Sequence, residues 1–379
     1  MSLPRILLML AVVITVFGGI HFYLGARLVS LQVLSRPAVF PLLASLAISM
    51  LAALFLAHTG SSSQPVRAVV FVGYTWMGLA LLLLTATLAG DAVALLSLIC
   101  QKLSLPLPAA AILAVRRLLL GVALLGGVWA IFQALKAPEV HEVEVRIPSL
   151  PPEFDGYRIA HITDTHISTL LGRSWCESLV ASVNAAHPDL VVHTGDLADG
   201  PVSALSSSVE PLSRLQAPHL FVTGNHEAYS GLTEWGREVL RLGFVPLTNS
   251  HVSFLRGTSS LVIGGITDYN QGKFPPHEGS DVAKAFASAP QGVRLLLAHQ
   301  PRSVFQAQGQ GIALQLSGHT HGGQIWPFHH LVRLQQPMNE GFAVLGDVRV
   351  FTSRGAGFWG PPLRLFAPSE VPILVLRRG

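Results

Sequence analysis

The sequence predicts an N-terminal α-helical membrane region of about four spans, followed by an α/β domain. The first observation behind this prediction is that residues 1–135 hold eight charged side chains, whereas the remaining 244 residues hold 38. The second is that the apolar segments long enough to cross a bilayer all lie in that first part. The third is that short apolar strands alternate with helical stretches in the rest of the chain, as in α/β folds.

Composition excludes several classes of protein. A mean hydropathy of +0.50 with 12% charged residues excludes an ordinary cytosolic enzyme. Two cysteines, Cys100 and Cys176, exclude a disulfide scaffold and a zinc site built on cysteine. The pI of 9.3 arises from the membrane part, because the residues after 135 carry 18 basic and 20 acidic side chains. A nucleic-acid partner is therefore not expected, since it requires a basic face on the folded domain.

Four segments are predicted to span the membrane, because a helix needs about 20 mostly apolar residues to cross it. They are Ile6–Ala26, Ala38–Ala57, Ala68–Gly90 and Leu118–Leu135. The segment Leu103–Val115 contains Pro106 and Pro108 and is expected to be interfacial or re-entrant. A secretory signal peptide is the alternative for the first segment, but no small-residue cleavage site follows it.

The basic residues of the loops predict the orientation. The loops after the first and third spans carry five Lys and Arg residues, and the opposite side carries three. The positive-inside rule then places the five in the cytoplasm. All residues after 136 are therefore expected on the extracytoplasmic side of the cell membrane.

The predicted boundaries are 1–136 for the membrane region, 137–156 for a linker with an edge strand, and 157–379 for the α/β domain. Glu142–Ile147 alternates with a period of two, which is typical of a strand with one wet face. Pro148, Pro151 and Pro152 then interrupt the chain before the next strand.

Polar clusters follow five predicted strands of the α/β domain. The strands are Tyr157–Thr163, Leu190–Thr194, His219–Thr223, Arg294–Ala298 and Ala313–Ser317. The clusters that follow them are, in the same order, Asp164-Thr-His166, Gly195-Asp196, Gly224-Asn225-His226-Glu227, His299 and Gly318-His319-Thr-His321. Because ligands gather at the carboxyl ends of parallel strands, these clusters predict one active site on a parallel, doubly wound core.

The residue types in these clusters predict a site for divalent metal ions. Carboxylate, amide oxygen and imidazole are suitable ligands, and two ions about 3.5–4 Å apart share a bridging carboxylate. Asp-x-His and His-x-His each place two side chains on the same side of an extended segment. His161 and His193 precede their clusters inside the strands and are interpreted as buried core residues.

Residues 157–323 resemble the calcineurin-like metallophosphoesterase superfamily, whose signature runs Asp-x-His, Gly-Asp, Gly-Asn-His-Asp/Glu, His, Gly-His-x-His. The wording of Ser317–Gln324 and Ala298–Pro301, together with the multi-span front half, resembles the bacterial transmembrane branch in particular. The resemblance implies a metallophosphoesterase sandwich of two mixed β-sheets flanked by helices. Ser260–Thr267, Val348–Thr352 and Val371–Leu376 are then expected to help build the second sheet.

The resemblance also implies a centre of two divalent metal ions, of which Zn, Mn, Fe and Co are all suitable. One ion is expected on Asp164, His166, Asp196 and His321, and the other on Asp196, Asn225, His299 and His319, with Asp196 bridging. His226 is expected to be catalytic, facing the phosphate without binding metal.

Four residues near these motifs are left with alternative roles. Glu227 or Asp199 orients an imidazole, and for Asp199 a turn cap is slightly favoured. Arg302 and Arg354 either contact phosphate or pair with acids.

The predicted function is a membrane-anchored phosphoesterase that hydrolyses phosphate esters with metal-activated water. A lipid-linked phosphodiester or pyrophosphate is predicted as substrate, because the linker is short and the loops Asp268–Pro276 and Gly357–Pro361 could line an apolar approach. Membrane lipids are then natural partners, and the oligomeric state is left open.

Three other functions are weighed against this one. The first is a broad phosphodiesterase acting on soluble substrates. The second, a non-catalytic receptor or transporter, is disfavoured because His21 is the one ionisable group within the predicted spans. The third, a mononuclear zinc peptidase, would require His-Glu-x-x-His, which the sequence lacks.

Overall fold

The computed structural model describes residues 3–61, 63–105, 107–274 and 276–379, with side chains from residue 14 onward. Contacts divide the chain into two compact units. The first comprises Met1–Leu56, Gln64–Phe132 and Pro361–Leu363, and the second comprises Ala57–Ser63, Gln133–Gly360 and Arg364–Gly379. The domain boundaries at residues 136 and 156 stay a prediction.

Long apolar helices make up the N-terminal part of the chain. They are α1 (Leu3–Ser30), α2 (Arg36–Leu56), α3 (Gln64–Lys102) and α4 (Ala109–Leu135). Within the described part of the chain, three helical segments are long and apolar enough to cross a membrane, namely Arg36–Thr59, Gln64–Lys102 and Ala109–Leu135. The apolar stretch found in α1, Ile14–Ser30, is shorter. Residues 6–13 of the first predicted span have no described side chains, so the count of four spans stays a prediction.

Two of the apolar helices are longer than predicted. The third predicted span ends at Gly90, but α3 continues through Asp91 to Lys102. The carboxylate of Asp91 lies 2.6 Å from Arg27 and 2.7 Å from Arg116, so its charge is neutralised within the helical unit. Residues 109–115, expected to be interfacial or re-entrant, form the first turns of α4 instead. Pro106, which supported that expectation, lies outside the described residues.

In the residues that the structure describes, the second unit contains two mixed β-sheets of six strands each. The first sheet has the spatial order β1 (Glu139–Ile147), β12 (Glu370–Arg378), β2 (Arg158–Ile162), β3 (Leu190–His193), β4 (His219–Phe221) and β5 (Val245–Pro246). The second has the order β10 (Gly341–Leu345), β11 (Val348–Thr352), β9 (Ile312–Ser317), β8 (Val293–Leu297), β7 (Ser259–Gly265) and β6 (Ser250–Arg256). The predicted sandwich of two mixed sheets is confirmed.

One strand assignment was wrong. We expected the last strand in the second sheet, but β12 lies in the first sheet between β1 and β2. It pairs parallel with β1 along the full register from Glu139–Glu370 to Ile147–Arg378, and antiparallel with β2. Seven of its nine residues are buried, because pairing on both sides and packing on both faces place it inside the sandwich. The other two late strands, β7 and β11, belong to the second sheet as expected.

An apolar layer joins the inner faces of the two sheets. It includes Ile159, Val192 and Leu220 from the first sheet and Ile263 and Leu295 from the second, all buried. Facing apolar side chains of this kind hold β-sandwiches together.

Short helices cover the outer faces and the connections of the sandwich. They are α5 (Arg173–Ala185), α6 (Val202–Val209), α7 (Asn225–Ser230), α8 (Leu232–Arg241), α9 (Val282–Phe286), α10 (Val304–Ala307) and α11 (His329–Val332). Apolar residues of α5, α6 and α8 pack on the first sheet, and residues of α9 and α10 pack on the second. The two sheets are thereby fixed with the carboxyl ends of their parallel strands available for a site.

Candidate metal centre

The polar clusters predicted at five strand ends converge on one site, but they come from two sheets. Asp164, Asp196 and Asn225 follow β2, β3 and β4 of the first sheet. His299 and His319 follow β8 and β9 of the second sheet. The expectation of a parallel, doubly wound core is therefore wrong, because the candidate ligands lie at the carboxyl ends of parallel strands from two mixed sheets.

One group of candidate metal ligands consists of Asp164, His166 and His321, whose ligand atoms all lie within 4.8 Å of one another. His321 Nε2 lies 3.5 Å from Asp164 Oδ1 and 3.0 Å from His166 Nε2. All three side chains are buried. The second carboxylate, Asp196, reaches this group at 3.8 Å from His166 Nε2.

A second group consists of Asp196, His299 and His319. His299 Nε2 lies 3.2 Å from Asp196 Oδ2 and 3.2 Å from His319 Nδ1. The amide oxygen of Asn225 is also 3.2 Å from His299 Nε2, so it joins the same group. The second nitrogen of His299 lies 2.8 Å from the carbonyl oxygen of Thr194, which fixes the orientation of the ring.

These two groups fit divalent cations by their chemistry. Each offers carboxylate and imidazole donors, and the second adds an amide oxygen. Asp196 belongs to the second group and lies 3.8 Å from His166 of the first. Burial lowers the pKa of His319 to about 3, and it lowers that of His321 well below its ordinary value. Both imidazoles are therefore neutral, the form in which histidine binds metal.

Asp199 lies between two imidazoles. Its Oδ1 atom is 2.7 Å from His166 Nδ1 and 2.7 Å from His226 Nδ1. Burial raises the pKa of Asp199, but His166 and His226 outweigh it and hold that pKa well below its usual range. Our preference for Asp199 as a turn cap was wrong, because its carboxylate faces the site and orients both rings.

Glu227 has a different task, although the sequence left it as an alternative partner for an imidazole. Its carboxylate accepts backbone N–H groups of Asp196 at 3.1 Å, Leu197 at 2.8 Å and Gly224 at 2.6 Å. Burial raises the pKa of Glu227, and Asp196 adds to this. Glu227 therefore joins the loop after β3 to the loop after β4.

The backbone is strained where the candidate ligands lie. Positive φ angles occur at Asp164 (52°), His166 (42°), Asp196 (55°), His319 (70°) and His321 (51°). Non-glycine residues rarely adopt this conformation, and such strain concentrates at functional sites. The surrounding contacts hold five of the seven predicted ligands in this state.

Two glycines of the motifs are required by close approach. A Cβ atom on Gly318 would lie 2.1 Å from Asp164 Oδ2, and one on Gly224 would lie 2.2 Å from Asp196 Oδ1. The main-chain N–H of His319 donates to Asp164, and that of His226 donates to Asp196 at 2.9 Å. These glycines allow the carboxylates to rest against backbone N–H groups.

One residue of the site was missed by the sequence analysis. Arg364 is fully buried, and its guanidinium donates to the carbonyl oxygens of Gly357, Ala367 and Arg354. One of its Nη atoms lies 3.1 Å from His321 Nδ1, so it restricts the position of that ring. No sequence signal marks this arginine, because it lies 43 residues after His321 in a proline-rich loop.

The two arginines with alternative roles behave differently. Arg354 pairs with Glu340 at 3.2 Å and with Glu370, and it also donates to the carbonyl oxygen of Pro368. Of the two alternatives, Arg354 therefore takes the pairing with acids. Arg302 has no ion pair among the described residues.

His161 and His193 are fully buried in strands β2 and β3. Burial lowers the pKa of each to about 3. His161 Nε2 lies 2.9 Å from Thr194 Oγ1, and His193 Nε2 lies 3.3 Å from Thr165 Oγ1. Their interpretation as core residues agrees with this placement.

Comparison with known proteins gives the family. The sequence model of the calcineurin-like phosphoesterases matches residues 157–323. A metallophosphoesterase of Helicobacter pylori strain J99 is 34% identical over 263 residues, which cover 67% of this chain and 68% of that protein. The chain belongs to the calcineurin-like phosphoesterase family.

A transmembrane protein with a metallophosphoesterase domain from Danio rerio is 36% identical over 265 residues. The match covers 66% of this chain, and the chain spans 60% of the length of that relative. Among solved structures, the NAD nucleotidase of Haemophilus influenzae is similar at a TM-score of 0.41 and 16% identity, covering 53% of this chain and 50% of that one.

The predicted family is confirmed by the matching family model and by these relatives, whose names give a metallophosphoesterase or a metallophosphoesterase domain. The apolar helices and the transmembrane relative indicate a membrane protein.

Proposed function

We propose that the protein is a binuclear-metal phosphoesterase of the cell membrane that hydrolyses a lipid-linked phosphodiester or pyrophosphate. The observation that carries the binuclear centre is the position of Asp196 next to both groups of candidate ligands. This carboxylate lies within reach of His166 in one ligand group and forms the second group with His299 and His319. A shared carboxylate is the feature that a centre of two ions requires.

In this proposal, Asp164, His166, Asp196 and His321 hold one ion, and Asp196, Asn225, His299 and His319 hold the other. Bound divalent ions neutralise phosphate oxygens and lower the pKa of a shared water. Contacts within the protein hold these ligands in position. Glu227 ties together the backbones that carry Asp196 and Asn225, and Arg364 restricts His321.

His226 is proposed to protonate the leaving oxygen of the ester. Its Nδ1 faces Asp199 at 2.7 Å, which leaves Nε2 directed away from that carboxylate. Burial alone lowers the pKa of His226, but Asp196 and Asp199 raise it to about 10. Because His226 also groups with His166 and Asp196 as a potential metal ligand, its role requires a test of metal content.

An aromatic rim next to His226 supports an apolar leaving group. The ring of His226 lies 5.4 Å from Tyr229 and 6.3 Å from Trp359, and Tyr229 lies 5.9 Å from Phe274. Tyr229 is 62% exposed and Trp359 is 50% exposed. Exposed aromatic rings beside a reactive group favour contact with an apolar substituent. Trp359 and Phe274 belong to the two loops that the sequence suggested for this purpose.

The short covalent connection supports a substrate in the headgroup layer. Helix α4 ends at Leu135 and β1 begins at Glu139, so only residues 136–138 separate them. Three extended residues reach about 10 Å. We also propose four spans with the phosphoesterase domain outside the cytoplasm, on the basis of the loop charges.

The test compares full-length protein in micelles on two substrates, a lipid pyrophosphate and bis(p-nitrophenyl) phosphate, with each of Zn, Mn, Fe and Co. We expect hydrolysis of both and a clear preference for the lipid. Substituting Tyr229→Ala and Trp359→Ala together should lower that preference, whereas Phe305→Ala, at another exposed aromatic residue, should leave it unchanged.

Equal rates on both substrates in all variants would favour a broad phosphodiesterase. No turnover with any metal, together with no bound ion, would favour the receptor or transporter. One bound ion per chain with turnover of peptides would favour the mononuclear peptidase.

A further inference from the structure

The guanidinium of Arg302 is held in place, and its two Nη groups have no hydrogen-bond partner among the described residues. Arg302 lies in the turn that follows β8, three residues after His299. Its Nε donates to Gln300 Oε1 at 2.8 Å, and its guanidinium carbon lies 4.2 Å from the centre of the Tyr269 ring. Its main-chain N–H donates to Gln336 Oε1. These contacts fix the stem and one face of the guanidinium, while none of them uses the two Nη groups.

Gln300, which accepts the hydrogen bond from Arg302, is next to a candidate metal ligand in the sequence. Gln300 is fully buried, follows His299 directly, and donates through Nε2 to Asp268 Oδ2 at 2.7 Å. The N–H of Asp268 donates to Thr223, which lies two residues before Asn225. Hydrogen bonds through Gln300 and Asp268 thus connect Arg302 to the segments that carry His299 and Asn225.

Several arginines of the second unit are paired with acids. Arg354 is paired with Glu340 and Glu370, and Arg256 is paired with Asp189 at 2.8 Å. Arg302 has a fixed guanidinium and, among the described residues, no carboxylate partner. Two parallel N–H donors of this kind match the oxygens of a phosphate.

From this geometry we infer that Arg302 is a substrate-binding residue, whose Nη groups bind phosphate oxygens of the ester at the candidate metal centre. The inference rests on the proposed function and adds a protein cation to it. The ring of Tyr269 limits the rotamers of the Arg302 side chain, so less conformational entropy is lost when phosphate binds.

The experiment measures binding of inorganic phosphate to full-length, metal-loaded protein in micelles by calorimetry, together with metal content and KM for bis(p-nitrophenyl) phosphate. Arg302→Gln should raise the Kd for phosphate by about 10- to 100-fold, the usual worth of charge-assisted hydrogen bonds, at unchanged metal content. Arg302→Lys should be intermediate, because it keeps the charge and loses the fork. Tyr269→Ala should raise the Kd, and Tyr269→Phe, which keeps the ring, should not.

The matched control is Arg256→Gln. Arg256 also stacks on an aromatic ring, 4.7 Å from the centre of Tyr157, but it lies on β6 and is paired with Asp189. Its substitution should leave the phosphate Kd unchanged. An unchanged Kd in Arg302→Gln would overturn the inference, and so would loss of metal in that variant. Phosphate binding that depends on Arg302 in a protein that hydrolyses no ester would instead reject the proposed function alone.

Discussion

At the scale of single residues, the carboxylate of Asp196 lies next to three histidines of the site. Its Oδ2 atom lies 3.2 Å from His299 and 3.8 Å from His166, and its Oδ1 atom accepts the N–H of His226. Burial raises the pKa of Asp196, but His299 and His226 outweigh it and hold that pKa well below its usual value. The carboxylate is therefore ionised, as a bridging ligand must be.

Asp196→Asn should lose metal and turnover together, because a neutral amide cannot bridge two cations. Elemental analysis of the wild type should give about two ions per chain, and the variant should hold fewer than one. Asp347→Asn, in an exposed turn where the carboxylate accepts the N–H of Gly309, is the control and should behave as wild type. Two retained ions at normal rates would show that Asp196 is not the bridge.

His226→Ala should keep its metal and lose roughly 10²–10⁴-fold in kcat, the usual worth of a positioned acid or base. The loss should be smaller for esters with good leaving groups, because these need less protonation. Rates are measured on p-nitrophenyl and alkyl esters, with metal content determined on the same samples. Loss of an ion in this variant would make His226 a ligand.

At the scale of elements, the long helix α3 contains one acidic residue, Asp91, within a largely apolar helical unit. Asp91 of α3 is paired with Arg27 of α1 and Arg116 of α4, and it accepts the hydroxyl of Tyr23 at 2.8 Å. The ion pairs thus join three helices. In the same unit, a Cβ atom on Gly73 would lie 2.3 Å from the carbonyl oxygen of Ser49, so α2 and α3 approach closely at a small residue.

Asp91→Asn should destabilise this helical unit by about 1–2 kcal/mol, because two arginines lose their counter-charge in a partly exposed site. The measurement is the melting temperature of full-length protein in micelles. Tyr23→Phe removes one hydrogen bond at the same carboxylate and should have a smaller effect. A variant as stable as wild type would show that the ion pairs contribute nothing to the assembly of the helices.

At the scale of the whole molecule, the charges of the loops predict the side of the membrane on which the phosphoesterase domain lies. The loops after the first and third predicted spans carry five basic residues against three on the other side. The expected topology places the C-terminus outside the cytoplasm.

This topology is tested with fusions after residue 379 in a bacterial host. Alkaline phosphatase, which is active outside the cytoplasm, should be active in the fusion, whereas β-galactosidase should not. The reverse pattern would place the phosphoesterase domain in the cytoplasm and would remove outer-leaflet lipids from the list of substrates.

The sequence by itself determined the family and the helical front half, and it named candidate ligands that the structure brings together. The motifs are short and local, and each places its polar side chains directly after an apolar strand. For this reason Asp164, Asp196, Asn225, His299 and His319 could be named without coordinates. The period and length of the apolar segments likewise marked α2, α3 and α4, although the sequence missed that α3 continues through Asp91.

The tertiary structure alone decided what depends on contacts between distant segments. It placed β12 in the first sheet, because strand pairing joins residues 370–378 to residues 139–147 across the whole domain. It brought the buried Arg364 against His321, and it turned Asp199 toward two imidazoles while Glu227 took three backbone N–H groups. Such partners are set by packing and by the need to satisfy buried polar groups, and neither leaves a periodic or local signal in the chain.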